Sequence, residues 1–200
     1  MDDQTDVAQK TLLVQHILKR VPLTADEQAY LNARVRIHRI LPRQYLVQQG
    51  DVCRYESFVC EGFLRSFFVD RKGDDHTLQF AMEDWWISDL RSFVDQVPAT
   101  RNVVALEPCT LVQISRPEMD DLLRQIPAFE KFWRLLNERA WIAADERILN
   151  NIALTGAERY EALLKKYPFI EQRLPQKYIA SYLGITPVFL SQIRKKFAKS

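Results

Sequence analysis

The spacing of the hydrophobic positions changes twice along the chain. Near the start, Leu12, Leu13 and Ile17 recur at the three- and four-residue spacing of a helix. A second helix is predicted to follow Thr24, because threonine is a good N-cap and two acids occupy the first turn. From residue 35 the apolar positions form short extended segments, and after residue 115 helical spacing returns. The order of helices, then strands, then helices predicts an α+β protein.

The middle of the chain carries a series of short strands. Turn residues separate them, among them Pro42, Gly50-Asp51 and Gly73. Short strands that recur roughly every ten residues are typical of an antiparallel sandwich or barrel. The predicted strands cover residues 35–40, 45–47, 57–60, 63–69, 76–81, 102–106 and 110–114.

Two further helices are predicted after the strands. Ser115 is a suitable N-cap for the first. The second is much longer, from about Ala128 to Leu154, and neither glycine nor proline interrupts it. Its heptad positions begin apolar and become polar: positions 129, 133, 136, 140, 143, 147, 150 and 154 hold Phe, Trp, Leu, Ala, Ala, Arg, Asn and Leu. Two interpretations stay open, a core helix of its own domain or a dimer helix that also packs on that domain. Thr155-Gly156 is expected to end this helix and begin a hinge.

The most specific motif lies between Gln176 and Lys196, which is predicted to form a helix, a tight turn and a second helix. Ala180 is small where the second helix crosses the first, and Gly184 supplies the positive φ that a short turn needs. Thr186 is a good N-cap, and Pro187 follows at the first helical position. The candidate DNA-binding residues of the second helix are Thr186, Val188, Ser191, Gln192, Arg194 and Lys195.

This second helix has the composition of a helix that reads DNA. Gln192 is suited to pair with adenine in the major groove, whereas Arg194 and Lys195 are suited to phosphates. From Gly156 to Ser200, nine Lys or Arg stand against three acids, a net +6, and the remaining residues carry 19 basic and 23 acidic groups, a net −4. A basic C-terminal module on an acidic body favours DNA binding. The alternative is an ordinary helical hairpin with a solvated basic face.

The composition excludes several classes of protein. The chain has only five glycines in 200 residues, and none lies close enough to another for a dinucleotide-binding loop or a P-loop. No apolar run approaches the length of a membrane span, and the polar N-terminus is unlike a signal peptide. We therefore expect a cytoplasmic protein that does not contact the membrane.

The sequence shows no constellation typical of an enzyme or a metal centre. The three cysteines are unclustered and are expected to be reduced, buried thiols. His16, His38 and His76 are scattered, which favours surface or packing roles over metal binding. No cofactor is predicted, and an enzymatic function ranks behind DNA binding.

With these motifs in this order, the chain resembles the Crp/Fnr family of bacterial transcription regulators, over about residues 10–197. The resemblance rests on Gln48–Asp51, Phe58–Gly62 and Arg71–Gly73, and on Ile179–Pro187, which is similar to variants common in Bacteroidetes. It implies an antiparallel β-roll of the jelly-roll (double-stranded β-helix, cupin-like) type that is similar to cyclic nucleotide-binding domains. A long dimerisation helix and a C-terminal helix-turn-helix domain are expected to follow. The implied boundaries are residues 1–127, 128–155 and 156–200.

The resemblance fails at the positions that would hold a cyclic nucleotide. In the cyclic-AMP-binding members a Gly-Glu pair and an Arg-Ser pair hold the ribose and the phosphate, and here Ser88-Asp89 and Ala99-Thr100 replace them. Arg101 lies two residues after Ala99, so it is expected to point to the same face of a strand. The pair that meets adenine is replaced by Ala144-Asp145. We predict that cyclic AMP does not bind in the usual mode. The ligand cassette, as we use the term, is Ser88, Asp89, Thr100 and Arg101.

The resemblance implies a homodimeric transcriptional regulator that binds double-stranded DNA. A small-molecule effector of unknown identity and RNA polymerase are its further expected partners. Rotation of the DNA-binding modules about the hinge would control binding, and the operator would have half-sites one DNA turn apart. The main alternative is a degenerate β-roll that serves as a protein-interaction module, with non-specific DNA binding.

Overall fold

The computed structural model describes residues 2–197, so that Lys199 of the predicted basic module lies outside the described residues. The strands are β1 (Arg36–Ile40), β2 (Tyr45–Val47), β3 (Tyr55–Glu61), β4 (Leu64–Val69), β5 (Asp75–Ala81), β6 (Trp86–Ile87), β7 (Asn102–Ala105) and β8 (Cys109–Ser115). The helices are α1 (Asp2–Leu18), α2 (Ala25–Asn32), α3 (Leu90–Asp95), α4 (Arg116–Gln125), α5 (Pro127–Ala153), α6 (Gly156–Lys166), α7 (Ile170–Arg173), α8 (Gln176–Leu183) and α9 (Pro187–Phe197). Within this range, no helix combines the length and the apolar character needed to cross a membrane.

The strands form two antiparallel four-stranded sheets, which together we call the β-roll. One sheet has the order β1-β8-β3-β6 and the other β2-β7-β4-β5. Every pair of neighbouring strands is antiparallel. The expected antiparallel, jelly-roll-like architecture followed by helices is therefore confirmed.

Each of the seven predicted strands is present, with ends that differ by at most two residues. The sequence reasoning missed β6 and α3. A two-residue strand is too short to show an alternating pattern. Asp89 is the N-cap of helix α3, because its carboxylate accepts a hydrogen bond from the Ser92 N–H, and Gln96 is the C-cap in a left-handed conformation. Asp89 therefore has a capping role besides its place in the ligand cassette.

Strand β3 is buried on both faces. One face packs inside the β-roll, and the other is covered by helices α1 and α5. Phe58 packs against the ring of His16 on α1, and His16 in turn meets Phe132 on α5. Val59, the next residue along the strand, points to the opposite face and is also buried. Helices α1 and α5 therefore close one side of the β-roll.

Three predicted helix boundaries are confirmed by their caps. Thr24 and Ser115 accept hydrogen bonds from the backbone N–H groups of Glu27 and Glu118. Helix α5 ends at Ala153, and Thr155 then caps α6 in a reciprocal capping box with Glu158. The predicted hinge is thus a two-residue connection between two helices.

Helix α5 has two apolar faces on opposite sides. Phe129, Trp133 and Leu136 pack on the β-roll core, so the heptad positions predicted from the sequence follow the intramolecular face. The second face is exposed, and Ile152 is 80% and Trp141 75% accessible. At about 100° per residue its members fall within an arc of about 120°, roughly opposite the first face. We call it the α5 stripe, and its members are Trp141, Ile142, Ile148, Leu149 and Ile152.

The C-terminal helices share a second core with the β-roll. Phe63 and Phe80 of the β-roll belong to the same buried cluster as Tyr160, Ile179 and Leu190. The helices therefore pack on the outer side of the sheet that contains β4 and β5. Helix α8 lies directly on β5.

The turn between α8 and α9 has the predicted geometry. Gly184 has φ +65°, in the left-handed region that glycine adopts without strain. The Ile185 N–H donates to the Ala180 carbonyl (3.0 Å), and Ala180 is fully buried where the helices meet. The Phe189 N–H donates to Thr186 Oγ1 (3.1 Å), which makes Thr186 the cap of α9.

Gly156 lies in a close contact that the sequence did not reveal. A Cβ atom at this position would lie 3.0 Å from the Phe189 ring and 3.1 Å from the Ile185 side chain. Glycine therefore allows α6 to approach the beginning of α9 closely.

Candidate DNA-binding face and ligand cassette

Three of the predicted DNA-binding residues form one exposed row along α9. Val188, Gln192 and Lys195 follow the i, i+4, i+7 spacing of a single helix face and are all exposed. Thr186 is exposed at the start of the helix, where its hydroxyl caps the backbone. The row presents an apolar, an amide and a cationic side chain in sequence.

The other two candidate residues are less exposed. Ser191 and Arg194 are half-buried. The Arg194 guanidinium pairs with the Glu171 carboxylate at 2.7 Å, and the Tyr160 hydroxyl donates to the same carboxylate, also at 2.7 Å. Through Glu171, Arg194 therefore connects α9 to α7 and α6. The charge of Arg194 is thus already neutralised within the chain.

The C-terminal helices are fixed to the β-roll through Ser181 of α8. The Thr77 N–H donates to Ser181 Oγ (2.9 Å), and the Ser181 hydroxyl donates to the Asp75 carbonyl (3.1 Å). One serine thus replaces the hydrogen bonds that a further strand would make with the edge of β5.

Two arginines strengthen this junction. Arg65 is almost completely buried, makes a bidentate pair with Asp75 (2.8 and 2.9 Å) and stacks on the Tyr178 ring of α8. Arg173 reaches from α7 to the carboxylates of Glu83 (2.9 Å) and Glu107 (2.7 Å). Hydrogen bonds to these two acids raise the pKa of Arg173, which therefore remains cationic.

The ligand cassette is closed by its own carboxylate. Asp89 Oδ2 accepts hydrogen bonds from the Thr100 N–H (2.9 Å) and the Thr100 hydroxyl (3.2 Å), while Oδ1 accepts one from the Ser92 N–H (3.1 Å). Arg101 Nε lies 3.7 Å from the same carboxylate. Burial alone would raise the pKa of Asp89, but these N–H donors lower it, so the group is anionic.

A buried glutamate that the sequence reasoning missed lies beside the cassette. The Ser88 hydroxyl donates to Glu56 Oε1 at 2.6 Å. Burial raises the pKa of Glu56 to about 7. The available signal was an acid directly before the predicted strand segment Ser57–Cys60. Of the four cassette residues, Asp89, Thr100 and Arg101 are brought together, whereas Ser88 faces Glu56.

The cysteines have the predicted environment. Cys53, Cys60 and Cys109 are buried free thiols. Burial raises their pKa values to about 11, 12 and 11, which keeps each thiol protonated and unreactive at neutral pH. Among residues 2–197 no group of three His, Cys, Asp or Glu side chains is placed to hold a metal ion.

The β-roll has the sequence signature of a known domain class. Residues 37–126 match the family model of the cyclic nucleotide-binding domain. The match begins in β1 and ends just before α5, so it covers the two sheets, α3 and α4. This part of the chain is therefore similar to the cyclic nucleotide-binding domain. No curated protein matches the sequence.

Solved structures of bacterial regulators share the fold of almost the whole chain. The c-di-GMP-responsive global regulator CLP of Xanthomonas campestris superposes with a TM-score of 0.71 at 12% identity, over 88% of this chain and 92% of that one. FixK2 of Bradyrhizobium japonicum gives 0.69 at 14% identity, over 82% and 85%. The catabolite activator protein of Thermus thermophilus gives 0.58 at 20% identity, over 92% and 87%. At these identities the likeness establishes the fold.

Proposed function

We propose that this protein is a sequence-specific, DNA-binding transcriptional regulator of the Crp/Fnr type that acts as a homodimer. The observation that carries the proposal is the exposed row of Val188, Gln192 and Lys195 on α9. The row lies on the second helix of a helix, turn, helix unit, at the end of a module with a net charge of +6. In helix-turn-helix proteins, this is the helix that enters the major groove.

The exposed row divides into base-reading and phosphate-binding parts. Gln192 has the donor and acceptor that match adenine in the major groove, and Val188 is suited to contact a thymine methyl group. Lys195, one turn further along, is suited to a phosphate. Arg194 is assigned a positioning role instead, since Glu171 already neutralises its charge.

The α5 stripe supports the homodimer. Five large apolar side chains on one exposed helix face are more than a monomer normally leaves in water. Trp141, Ile148 and Ile152 follow the four-and-three spacing of a two-helix seam with Asp145 between them. A second copy of the same helix matches this spacing along its whole length, which makes the homodimer the natural occupant.

The cassette supports a β-roll that does not take cyclic AMP in the usual mode. The Asp89 carboxylate already accepts the N–H groups of Ser92 and Thr100. A cyclic phosphate at this position would lose those donors and meet a like charge. The guanidinium of Arg101, the residue after Thr100, lies beside the Asp89 carboxylate.

We place control at the junction between α8 and β5. In the structure the C-terminal helices are held on the β-roll by Ser181, Arg65 and Arg173. Rotation about the connection at Thr155 would require these contacts to break. An effector or partner that favours one arrangement would therefore shift DNA affinity.

The test is selection of bound DNA from a random pool at several salt concentrations. The wild-type protein is expected to enrich a pseudo-palindrome with half-sites one turn apart. Gln192→Ala should relax the preference at one base position, whereas Lys195→Ala should weaken binding to all sequences alike. The matched control is Lys131→Ala, which replaces an exposed lysine in the first half of α5. It should change neither the base preference nor the overall affinity for DNA. Equal effects of Gln192→Ala and Lys195→Ala would contradict the assignment of α9.

The exposed apolar residues of α9 favour a second candidate function. Val188 is 70% accessible, and Phe189 beside it is also exposed. Such residues suit a protein partner as well as a thymine methyl group. The alternative is an interaction module that binds DNA without sequence preference. Salt-sensitive binding with no enriched sequence in the same selection would favour it.

A further inference from the structure

A cavity lies where the β-roll, the long helix and the C-terminal helices meet. Its volume is about 320 Å³, and its walls come from β5, the last part of α5, α6, and the end of α8 with the glycine that follows it. Two arginines, Arg147 from α5 and Arg159 from α6, line it. This volume is at the lower end of the range for small-molecule sites, which begins at roughly 300 Å³.

Within the described residues, the hydrogen bonds of Arg147 all go to backbone carbonyls. Its guanidinium donates to the carbonyls of Thr77 (3.1 Å) and Leu78 on β5 and of Tyr182 (3.2 Å) on α8, and it stacks on the Tyr182 ring. Desolvation by burial lowers the pKa of Arg147, and no carboxylate contributes to the shift. The side chain therefore holds an uncompensated charge at the junction of three elements.

Arg159 has the same kind of surroundings. It donates from Nη1 to the Leu154 carbonyl (2.6 Å) at the end of α5 and from Nε to the Leu183 carbonyl (3.2 Å) at the end of α8. These bonds leave its Nη2 group available. His76, which also lines the cavity, is bonded to Asp70 at 2.9 Å.

The lack of acids around these two arginines contrasts with the rest of the junction. Arg65, Arg173 and Arg194 each pair with at least one carboxylate. Neither Arg147 nor Arg159 forms an ion pair anywhere in residues 2–197. The chain thus supplies carboxylates to these three arginines and none to the two that line the cavity.

The carbonyls balance only part of this charge. The C-terminal ends of α5 and α8 each carry a partial charge of about −0.5, whereas the N-terminal end of α6, where Arg159 lies, carries about +0.5. More than one positive charge therefore remains at a cavity wall partly shielded from water. An anion in the cavity would neutralise it, and the planar guanidinium is well matched to phosphate oxygens.

We propose that this cavity is a binding site for the phosphate group of a small molecule, held by Arg147 and Arg159. The ligand would contact β5, α5 and α6 together and so stabilise the docked arrangement of the C-terminal helices. The inference deepens the proposed function, because it assigns an effector site outside the ligand cassette. Free phosphate and a nucleoside monophosphate share the required chemistry.

The test measures thermal unfolding of the full chain without DNA. Inorganic phosphate and 5′-AMP are added in separate series, with sodium chloride at matched ionic strength as the reference. At ten times the dissociation constant, binding should raise the melting temperature by about 3–6 °C. Arg159→Gln should weaken this response at least tenfold, whereas Arg139→Gln, an exposed arginine on α5, should preserve it.

Each outcome decides the proposal. A response to phosphate alone, or a larger one to 5′-AMP, supports the site and separates its two ligand sources. No stabilisation beyond chloride, or an equal response in Arg159→Gln and Arg139→Gln, overturns it. An Arg159→Gln variant that loses only binding to a short DNA duplex also overturns it, because the arginine would then serve the DNA backbone. If the phosphate site is disproved, the DNA-selection test of the proposed function still stands. If the DNA selection fails, the thermal-unfolding test of the phosphate site still stands.

Discussion

Asp89 in the ligand cassette and Glu56 beside it have opposite pKa shifts, although both carboxylates are largely withdrawn from water. Asp89 receives backbone N–H groups from Ser92 and Thr100, which lower its pKa against the effect of burial. Glu56 receives one hydroxyl from Ser88, and burial raises its pKa to about 7. The number of N–H donors therefore decides which carboxylate is ionised in the folded protein.

Glu56 makes stability depend on pH in a defined direction. Its pKa is about 7 in the folded state and near 4.3 in an unfolded chain, so the folded state binds the extra proton between these values. The stability that Glu56 contributes is therefore greatest at low pH and is lost as pH rises from about 4.3 through 7. Glu56→Gln, which cannot ionise, should be more stable than wild type at pH 8, by up to about 3 kcal/mol.

Urea unfolding of both proteins at pH 5 and pH 8 measures this difference. The gain should be present at pH 8 and small at pH 5. Glu61→Gln, an exposed acid at the end of the same strand, is the control and should show no such pH dependence. A gain of equal size at both pH values would contradict the assignment.

Helix α5 shows how one element serves two interfaces. Phe129, Trp133 and Leu136 pack on the β-roll, while the α5 stripe faces away. The heptad spacing read from the sequence followed the first face, because the large apolar residues at its beginning lie there. The burial of each side chain distinguishes the two apolar faces, whereas the spacing of apolar residues in the sequence does not.

A charge on the α5 stripe should dissociate the dimer. Ile148→Glu removes apolar area from both copies and places two carboxylates in the seam, so the dimer dissociation constant should rise on the order of 100-fold or more. Sedimentation equilibrium measures it. Ala143→Glu, exposed near the opposite side of the same helix, is the control and should leave the constant unchanged. A monomeric wild type, or equal effects of both substitutions, would show that the stripe has another role.

At the scale of the whole molecule, the β-roll and the C-terminal helices form one packed unit. The second core contains Phe63 and Phe80 from the β-roll together with Leu183 and Leu190 from the C-terminal helices. Polar contacts of Ser181 surround this shared core. Release of the C-terminal helices thus costs both apolar burial and hydrogen bonds.

Ser181→Ala should loosen this unit without unfolding it. The change removes both hydrogen bonds to β5 and leaves a backbone N–H and a carbonyl without their partner, at a cost of about 1–3 kcal/mol. Limited proteolysis at the connection around Thr155 should become about tenfold faster or more. Ser191→Ala on α9 is the control and should be cleaved like the wild type. Unchanged cleavage of Ser181→Ala would place the restraint elsewhere.

The sequence predicted the local features well. Thr24, Ser115 and Gly184 were assigned correctly because caps and turns depend on neighbouring residues and on backbone geometry. Strand β6 and the site around Glu56 were missed, since a two-residue strand has no periodicity and burial is not encoded at one position. The assignment of Val188, Gln192 and Lys195 to DNA stays a prediction.

The sequence by itself determined the order of the elements, the antiparallel strands and the turn before α9, because these follow from residue period, capping and glycine geometry within a few residues. Tertiary structure alone decided which charges are matched. Glu171 neutralises Arg194, whereas Arg147 and Arg159 meet only carbonyls. The partners are distant along the chain, and the electrostatic energy of a charge depends on what surrounds it after folding.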